Sequence, residues 1–501
     1  MSASTSKHRS VLTFDRGTLI LHPPPSSAAW AGIAIWDDRI ERLRAPAYKY
    51  RALVDGLSRD GVQIDDRAAK FADLNLISAQ NLEPYPHQTD ALNAWTRAGR
   101  AGVVVLPTGA GKTLVAQLAM RLTSKSTLIC VPTLDLMHQW YAGLEAAFPG
   151  QKIGLLGGGS FDITEVVVAT YDSAARAIEQ HGNRWALLIF DECHHLPGGL
   201  YRQIAEYSLA KFRLGLTATL ERSDGKHRDL ESLIGPTVFQ ARPEDLAGDS
   251  LSAFQIKRIE VELTALEREA YIKAKAARDS FLKDQNIFLG SLEGWQRFVR
   301  RSAGTSEGRR AMLAHREMRK LSLGTEAKIR ALDSILENHR SARVLVFTND
   351  NDAVYDISKR LLIPAITHQT PVKERHAVLE RFKSGEYPVI VASKVLNEGV
   401  DVPEANVAVV LSGSGSTREH VQRLGRILRR KTGKFAVLFE VVAKDTVEEG
   451  ISRRRKGEPH PTKEIATRET ETPQRQLEFA PVSAKDALEF ENLEFESLGR
   501  D

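Results

Sequence analysis

Thr108, Gly109, Ala110, Gly111, Lys112 and Thr113 put two hydroxyls, an ammonium and a pliable backbone into one short stretch. Such a set can grip a triphosphate. Glycines let backbone N–H groups turn inward onto phosphate oxygens, and the amino end of a following helix adds partial positive charge. Lys112 would then reach the β and γ phosphates, and the Thr113 hydroxyl would hold Mg²⁺. The strict form of this loop has a glycine where this chain has Leu106, so a plain glycine turn between a core strand and a helix also fits the stretch.

Downstream, Asp191 and Glu192 follow the apolar run Leu187–Phe190. A core strand gains nothing from ending in paired carboxylates. Asp191 suits a magnesium ion, directly or through water, and Glu192 suits orienting and deprotonating a water that attacks the γ phosphate. Cys193, His194 and His195 come next, but adjacent residues lack the spacing of a zinc site. Thr217 and Thr219 end another apolar run, where hydroxyls can relay the state of a phosphate site or cap a helix. Upstream, the amide of Gln88 donates and accepts at once, as the N6 and N7 edge of adenine requires. Far along the chain, Arg426 and Arg429 lie three apart on an expected helix and share a face, from which guanidinium groups could meet charge building on a γ phosphate.

Positioning these groups takes an alternation of strands and helices. Apolar runs at Gly102–Leu106, Thr127–Val131, Val166–Thr170, Leu187–Asp191 and Arg213–Leu216, with helical patterns between them, predict a doubly wound parallel sheet whose strand ends line a crevice. A second such set runs through Arg343–Thr348, Ala365–His368, Val389–Ser393, Val407–Leu411 and Ala436–Val441, without a second phosphate loop. Between the two, Leu263–Leu323 reads as two long antiparallel helices. Trp295–Lys320 within it holds eight basic and two acidic residues, a face that suits a polyanion. Here Arg297, Arg300 and Arg301 are candidate phosphate contacts, while Trp295 and Phe298 are read as packing between helices. The chain opens with a hairpin around Asp15, Arg16 and Gly17 and a helical stretch from Tyr48 to Leu57, a small α+β unit in which Arg44, Lys49 and Arg51 are basic.

At 501 residues, with 42% hydrophobic and 27% charged residues, the chain is long enough for about three domains. The expected division is residues 1–80, 81–245, 246–325 (linker and helices), 326–450, and an acidic tail of 451–501 read as disordered. The net charge is +5, while the stretch 458–501 holds five basic and eleven acidic residues and repeats the triplet Leu-Glu-Phe. Two cysteines and a polar start with no apolar signal core fit a cytoplasmic protein, and no run approaches membrane-spanning length.

Taken in order, these blocks resemble superfamily 2 helicases, and more narrowly the XPB family in its archaeal and bacterial form. Carrying the resemblance are Gln88, Pro107–Thr113, Val131–Thr133, Thr170–Ser173, LLIFDECHHLP from Leu187, FRLGLTAT from Phe212, SKVLNEGVDVP from Ser393 and QRLGRILR from Gln422. The opening FDRGTLIL and RAPAYKYR resemble that family's damage recognition domain. The resemblance implies two RecA-like parallel-sheet domains, a helical thumb insert and a small α+β amino-terminal domain. It also implies an ATP- and Mg²⁺-dependent 3'-5' DNA helicase or double-stranded DNA translocase of repair, acting on duplex or forked DNA beside a structure-specific nuclease. Gly399 and Asp401 would couple nucleotide to DNA, His194 would do so with Gln422 and Arg423, and Arg222 and Asp224 would flank a strand-opening acid. Ser223 replaces that acid, and no arginine precedes Gln88 near Tyr85–His87. An RNA-directed motor and an ATP-gated DNA scaffold remain the alternatives.

Overall fold

The structure, a computed structural model, describes residues 9–79, 83–220, 222, 224–289, 292–393, 405–412 and 435–455. The chain divides into two compact units, one up to Leu251 and one from Ser252 on.

The first unit begins with β1 (Val11–Asp15), β2 (Thr18–His22), β3 (Ile35–Asp37), β4 (Arg42–Pro46), α1 (Tyr50–Arg59) and β5 (Asp65–Asp66), forming a sheet of order β3-β4-β2-β1-β5. Alternation drives it: Leu12, Leu19, Leu21, Leu43 and Ala45 face one side and pack on Leu53 and Leu57 of α1. Leu209, far away in the chain, completes this small core. Residues 68–79 then run along the neighbouring sheet, with Lys70 N donating to Asn183 O, Asn183 Nδ2 to Ala68 O and Leu74 N to Ser124 O.

That sheet is built from α2 (Pro86–Arg97), β6 (Ala101–Val105), α3 (Lys112–Thr123), β7 (Thr127–Val131), α4 (Leu134–Ala147), β8 (Ile153–Gly157), β9 (Ser160–Phe161), β10 (Val166–Thr170), α5 (Tyr171–His181), β11 (Leu187–Asp191), α6 (Arg202–Glu206), β12 (Phe212–Thr217), α7 (Asp229–Leu233) and β13 (Thr237–Gln240). Its order is β13-β6-β12-β11-β7-β10-β8-β9, parallel except for β9. The central strands are mostly apolar because helices cover both faces, and every residue of β7, β10 and β11 is buried.

The second unit holds β14 (Ala253–Val261), α8 (Ala265–Asp284), α9 (Leu292–Gly304), α10 (Ser306–Leu323), α11 (Glu326–Asn338), β15 (Val344–Phe347), α12 (Asn351–Leu361), β16 (Ala365–Ile366), α13 (Val372–Ser384), β17 (Val389–Ala392), β18 (Val407–Val410), β19 (Phe435–Ala443) and α14 (Val447–Arg455). Its parallel sheet has the order β14-β19-β18-β15-β17-β16 among the described residues. Strand β14 falls in the stretch read from sequence as linker. It pairs with β19 over nine residues, Ala253 with Phe435 through Val261 with Ala443.

The helical insert has three helices where two were expected. The chain breaks at Gln285–Asn286, with Asn286 at φ +49°, and α9 packs across the pair α8 and α10. Phe298 is fully buried against Phe281, so the packing expected of it is what is seen. Thr133, Thr170, Thr264, Thr305 and Thr325 accept from a first-turn N–H of α4, α5, α8, α10 and α11, each worth about 1 kcal/mol. Glu267 ties the insert's root together by accepting from Thr264 N, Thr325 Oγ1 and Glu326 N.

Candidate functional site

Three neighbouring strands of the first unit end level. Asp191 on β11 pairs in register with Leu216 on β12, Thr217 pairs with Val105 on β6, and Leu106 N donates to Thr217 O. The loop from Pro107 to Gly111 therefore starts beside Thr217 of β12, one strand away from the acids of β11. Leu106 is buried in the core, which explains why the loop can do without a glycine there.

Gly111 sits at φ +79° as the residue before α3, and a Cβ there would fall 2.1 Å from Gln88 Nε2. No other residue type meets both demands. Lys112 opens the helix and donates through Nζ to Leu106 O at 3.2 Å. No side chain caps the helix start. Thr113 is exposed on the first turn, and Ala110 is buried.

Gln88 braces this loop. Its Oε1 accepts from Tyr85 N at 2.9 Å and its Nε2 donates to Ala110 O at 3.0 Å, beside His87 Nε2 at 2.9 Å from the same carbonyl. An amide has two donors and two lone pairs on its oxygen, so one of each remains for an adenine edge. Tyr85 stacks on His87 where an arginine would be usual in the family the sequence resembles.

The acids are held with equal definition. Asp191 Oδ1 accepts from Glu192 N at 3.0 Å and Oδ2 from the Trp140 indole at 2.8 Å. Burial raises the Asp191 pKa, while the Lys112 charge and the Trp140 bond pull it down. Glu192 adopts the left-handed region, φ +49°, which turns its side chain back over the strand end. There its Oε2 lies 3.4 Å from Thr217 Oγ1 and 3.5 Å from His194 Nδ1. His194 Nδ1 is 3.1 Å from the same threonine oxygen, whose single proton has Thr219 O at 2.8 Å as its nearest acceptor. Arg222 donates to His194 O and is paired with Asp224 at 2.7 Å.

The Thr108 and Thr219 hydroxyls are buried without a hydrogen-bond partner among the described residues. An orphaned hydroxyl in a crevice costs free energy unless a ligand satisfies it. Two hydroxyls, a buried carboxylate and the exposed Thr113 hydroxyl form an all-oxygen donor set, which fits Mg²⁺ beside phosphate oxygens. No cluster of three or more His, Cys, Asp or Glu side chains that could hold a metal ion occurs among the described residues.

Gln88, Thr108 to Thr113, Asp191, Glu192, His194, Thr217, Thr219, Arg222 and Asp224 thus lie on one unit, at or leading from one edge of its sheet. Gly399, Asp401, Gln422, Arg423, Arg426 and Arg429 lie outside the described residues, as do Ser223 and the tail from residue 456. Arg297, Arg300 and Arg301 are exposed on α9. Arg44 and Arg51 are spent on internal contacts, Arg44 with Asp15 and Asp37 and Arg51 with Gly99 O and Lys211 O. A cleft of about 960 Å³ in the second unit is lined by charges of both signs, among them Lys273, Arg316, Arg319, Lys320 and Arg360 with Glu317, Asp350, Asp352 and Asp356. Sequence reasoning overlooked Trp140, whose helical spacing with Met137 and Leu144 marks only a core face.

Three family profiles match the chain: the Xeroderma pigmentosum group B helicase damage recognition domain over residues 12–68, the type III restriction enzyme res subunit over 81–222, and the helicase conserved C-terminal domain over 327–431. The chain is 39% identical over 430 residues to the DNA 3'-5' translocase XPB2 of Sulfurisphaera tokodaii, covering 86% of this chain and 97% of that protein. It is 33% identical to the DNA 3'-5' helicase XPB of Kineococcus radiotolerans, covering 74% of this chain but 61% of that one. With the Arabidopsis thaliana general transcription and DNA repair factor IIH helicase/translocase subunit XPB2 the figures are 29%, 76% and 50%. Among solved structures, the helicase domain of Pyrococcus furiosus Hef matches with a TM-score of 0.52 and 22% identity, over 74% of this chain and 98% of that one, a likeness of fold.

Proposed function

Since the chain belongs to the XPB family of DNA helicases and translocases, we propose that it is an ATP-driven 3'-5' motor on double-stranded or forked DNA, acting in DNA repair. The observation that carries this is the convergence of Lys112, Asp191, Glu192 and Thr217 at the level ends of three adjacent strands, with Gln88 braced on the same loop.

The chemistry divides among these groups. The Lys112 ammonium meets the charge of the β and γ phosphates, and the free donor and lone pair of Gln88 suit an adenine edge. Glu192, oriented by Thr217 and His194, positions the attacking water and takes its proton. Thr113 and Asp191 would hold Mg²⁺, which when bound supplies charge neutralisation across the phosphates. Because Arg222 donates to His194 O and His194 lies beside Glu192, a displacement of Arg222 would reach Glu192, a short path between nucleic acid and hydrolysis in this proposal. Gly399, Asp401, Gln422 and Arg423 complete the coupling in this proposal, and the guanidinium groups of Arg426 and Arg429 stabilise the transition state. The exposed arginines of α9 suit backbone phosphates. A cytoplasmic location and a structure-specific nuclease partner belong to the same proposal. Among the described residues no helix is long and apolar enough to cross a membrane.

The test compares duplex DNA, single-stranded DNA and RNA as activators of ATP hydrolysis, and adds displacement of a triplex-forming strand. Duplex DNA is expected to stimulate best and the third strand to be displaced. RNA as the best activator would overturn the DNA assignment. Ser223, in place of an acid, favours one second reading, an ATP-gated scaffold that grips DNA without moving. Displacement by the native chain would rule the scaffold out, and failure to displace the triplex strand both before and after Ser223→Glu would support it.

A further inference from the structure

Among the buried tryptophans of the first unit, Trp140 is set apart by what its N–H meets. The indoles of Trp95 and Trp185 satisfy theirs on backbone carbonyls, Arg213 O at 2.9 Å and Thr164 O at 3.2 Å. Trp140 instead donates to a carboxylate, Asp191 Oδ2 at 2.8 Å. Its ring is 2% exposed, on the buried face of α4 with Met137 and Leu144. Burial on a helix face explains the ring and leaves the direction of the N–H unexplained, since a carbonyl would satisfy it equally well.

What the bond does follows from the carboxylate it reaches. Asp191 is buried, and its other oxygen is fixed by Glu192 N at 3.0 Å. With one donor on each oxygen, the carboxylate is locked about its Cβ–Cγ bond, and one lone pair per oxygen is left toward the crevice. A charge-assisted hydrogen bond from a rigid ring inside a packed helix is a firm way to hold that orientation. The same arrangement recurs wherever a ligating side chain is oriented by the groups behind it. The Tyr171 hydroxyl supports the same residue from its backbone, donating to Asp191 O at 3.0 Å.

We infer that Trp140 is a positioning residue for magnesium: its indole N–H orients the Asp191 carboxylate, so that α4 is part of the metal site although no atom of it would touch the metal. The inference rests on the reading of Asp191 and Thr113 as the Mg²⁺ site and deepens it.

The experiment measures binding of the fluorescent nucleotide mant-ADP to the full chain, titrated with magnesium chloride and separately in EDTA. Trp140→Phe keeps the ring and removes the donor. A β-(3-benzothienyl)alanine at position 140 removes the N–H at nearly constant volume, which covers the case in which the phenylalanine variant is poorly folded. In either protein the magnesium needed for half-maximal binding should rise ~10–100-fold, the range seen when such supporting partners are lost, while affinity in EDTA stays at the native level. Trp95→Phe, whose indole serves a carbonyl, should leave both unchanged. An unaltered magnesium requirement in both Trp140 variants, or an equal rise in Trp95→Phe, overturns the inference and leaves the nucleotide site standing. Failure of the native chain to bind mant-ADP at all would overturn the nucleotide reading and this inference with it.

Discussion

Two lysines divide the labour of the two units. Lys112 and Lys328 each donate to the carbonyl that follows a strand of a parallel sheet, Leu106 O at 3.2 Å after β6 and Leu411 O at 2.5 Å after β18. There the likeness ends. Lys112 is half-buried, with no carboxylate in ion-pair distance among the described residues, whereas Lys328 is fully buried and paired with Glu448 at 2.5 Å. Two sheets of one type use the same chemical group differently: one keeps its ammonium without a carboxylate partner among the described residues, the other holds it in an internal ion pair. A parallel sheet offers a crevice at its strand ends, but which sheet becomes a binding site depends on which buried charges are left unanswered.

The largest effect that would break this comparison is on stability. Lys328→Ala removes the ammonium from a buried ion pair with Glu448, and losing one partner of a buried pair costs about 3–5 kcal/mol. Denaturant unfolding of the purified variant measures it. Lys328→Met combined with Glu448→Gln should recover most of the loss, because the amide oxygen still accepts from Ala443 N, as Glu448 Oε2 now does at 2.9 Å. If Lys328→Ala unfolds like the native chain, the pair is not what closes the second sheet. Lys112→Ala should show the reverse pattern. Its unfolding midpoint should stay near native because no buried charge is orphaned, only the Leu106 carbonyl losing a donor, while phosphate release should fall by about 10²–10³, the usual loss for one preorganised donor to a developing charge. Retained turnover would remove Lys112 from the chemistry and erase the contrast.

Legibility in sequence follows the same divide. Five strands of the eight-stranded sheet, β6, β7, β10, β11 and β12, could be read because each is a short, almost wholly buried run, as in Thr127–Val131 and Val166–Thr170, whereas β8 and the exposed edge strands β9 and β13 were missed. The residues at their ends could be read because carboxylates and threonines there have no packing purpose. Strand β14 could not: Phe254, Ile256, Ile259 and Val261 are interrupted by Gln255, Lys257, Arg258 and Glu260, and its partner β19 lies far along the chain. The seat of the amino-terminal sheet on the eight-stranded sheet was equally hidden. A Cβ at Gly17 would fall 2.6 Å from the Tyr207 ring, and Leu209 sits in the small core, contacts that no local pattern announces. Arg213 is another instance: a fully buried arginine in β12, held by Leu233 O and Ala205 O, its pKa pushed down to about 10 by burial. Trp140 belongs to this class too, since helical spacing predicts its burial and is silent about where its N–H points.

The smallest expected effect sharpens the comparison on the side of the second unit, whose buried ionisable groups should report through stability and not through hydrolysis. His315 on α10 lies 5.2 Å from the Trp295 ring and 5.8 Å from Phe298, and its Nδ1 has no partner among the described residues. Burial, reinforced by the charges of Arg278 on α8 and Arg319 on α10, pushes its pKa down from 6.5 to about 4. A base depressed in the folded state is neutral there while the unfolded chain takes up a proton, so its contribution is whole above pH 6.5 and is lost progressively as the pH falls toward 4. Thermal melts should therefore show a lower Tm at pH 5 than at pH 7, and His315→Phe, which keeps a ring among rings and removes the titration, should reduce that difference. Because the groups proposed to hold a nucleoside diphosphate, Gln88 and the loop to Thr113, lie on the first unit, mant-ADP affinity should be the same in the variant and the native chain at both pH values. An acid sensitivity identical in the variant would place the loss elsewhere, and an altered nucleotide affinity would show that the aromatic cluster of the helical insert answers to the ligand as Lys112 does.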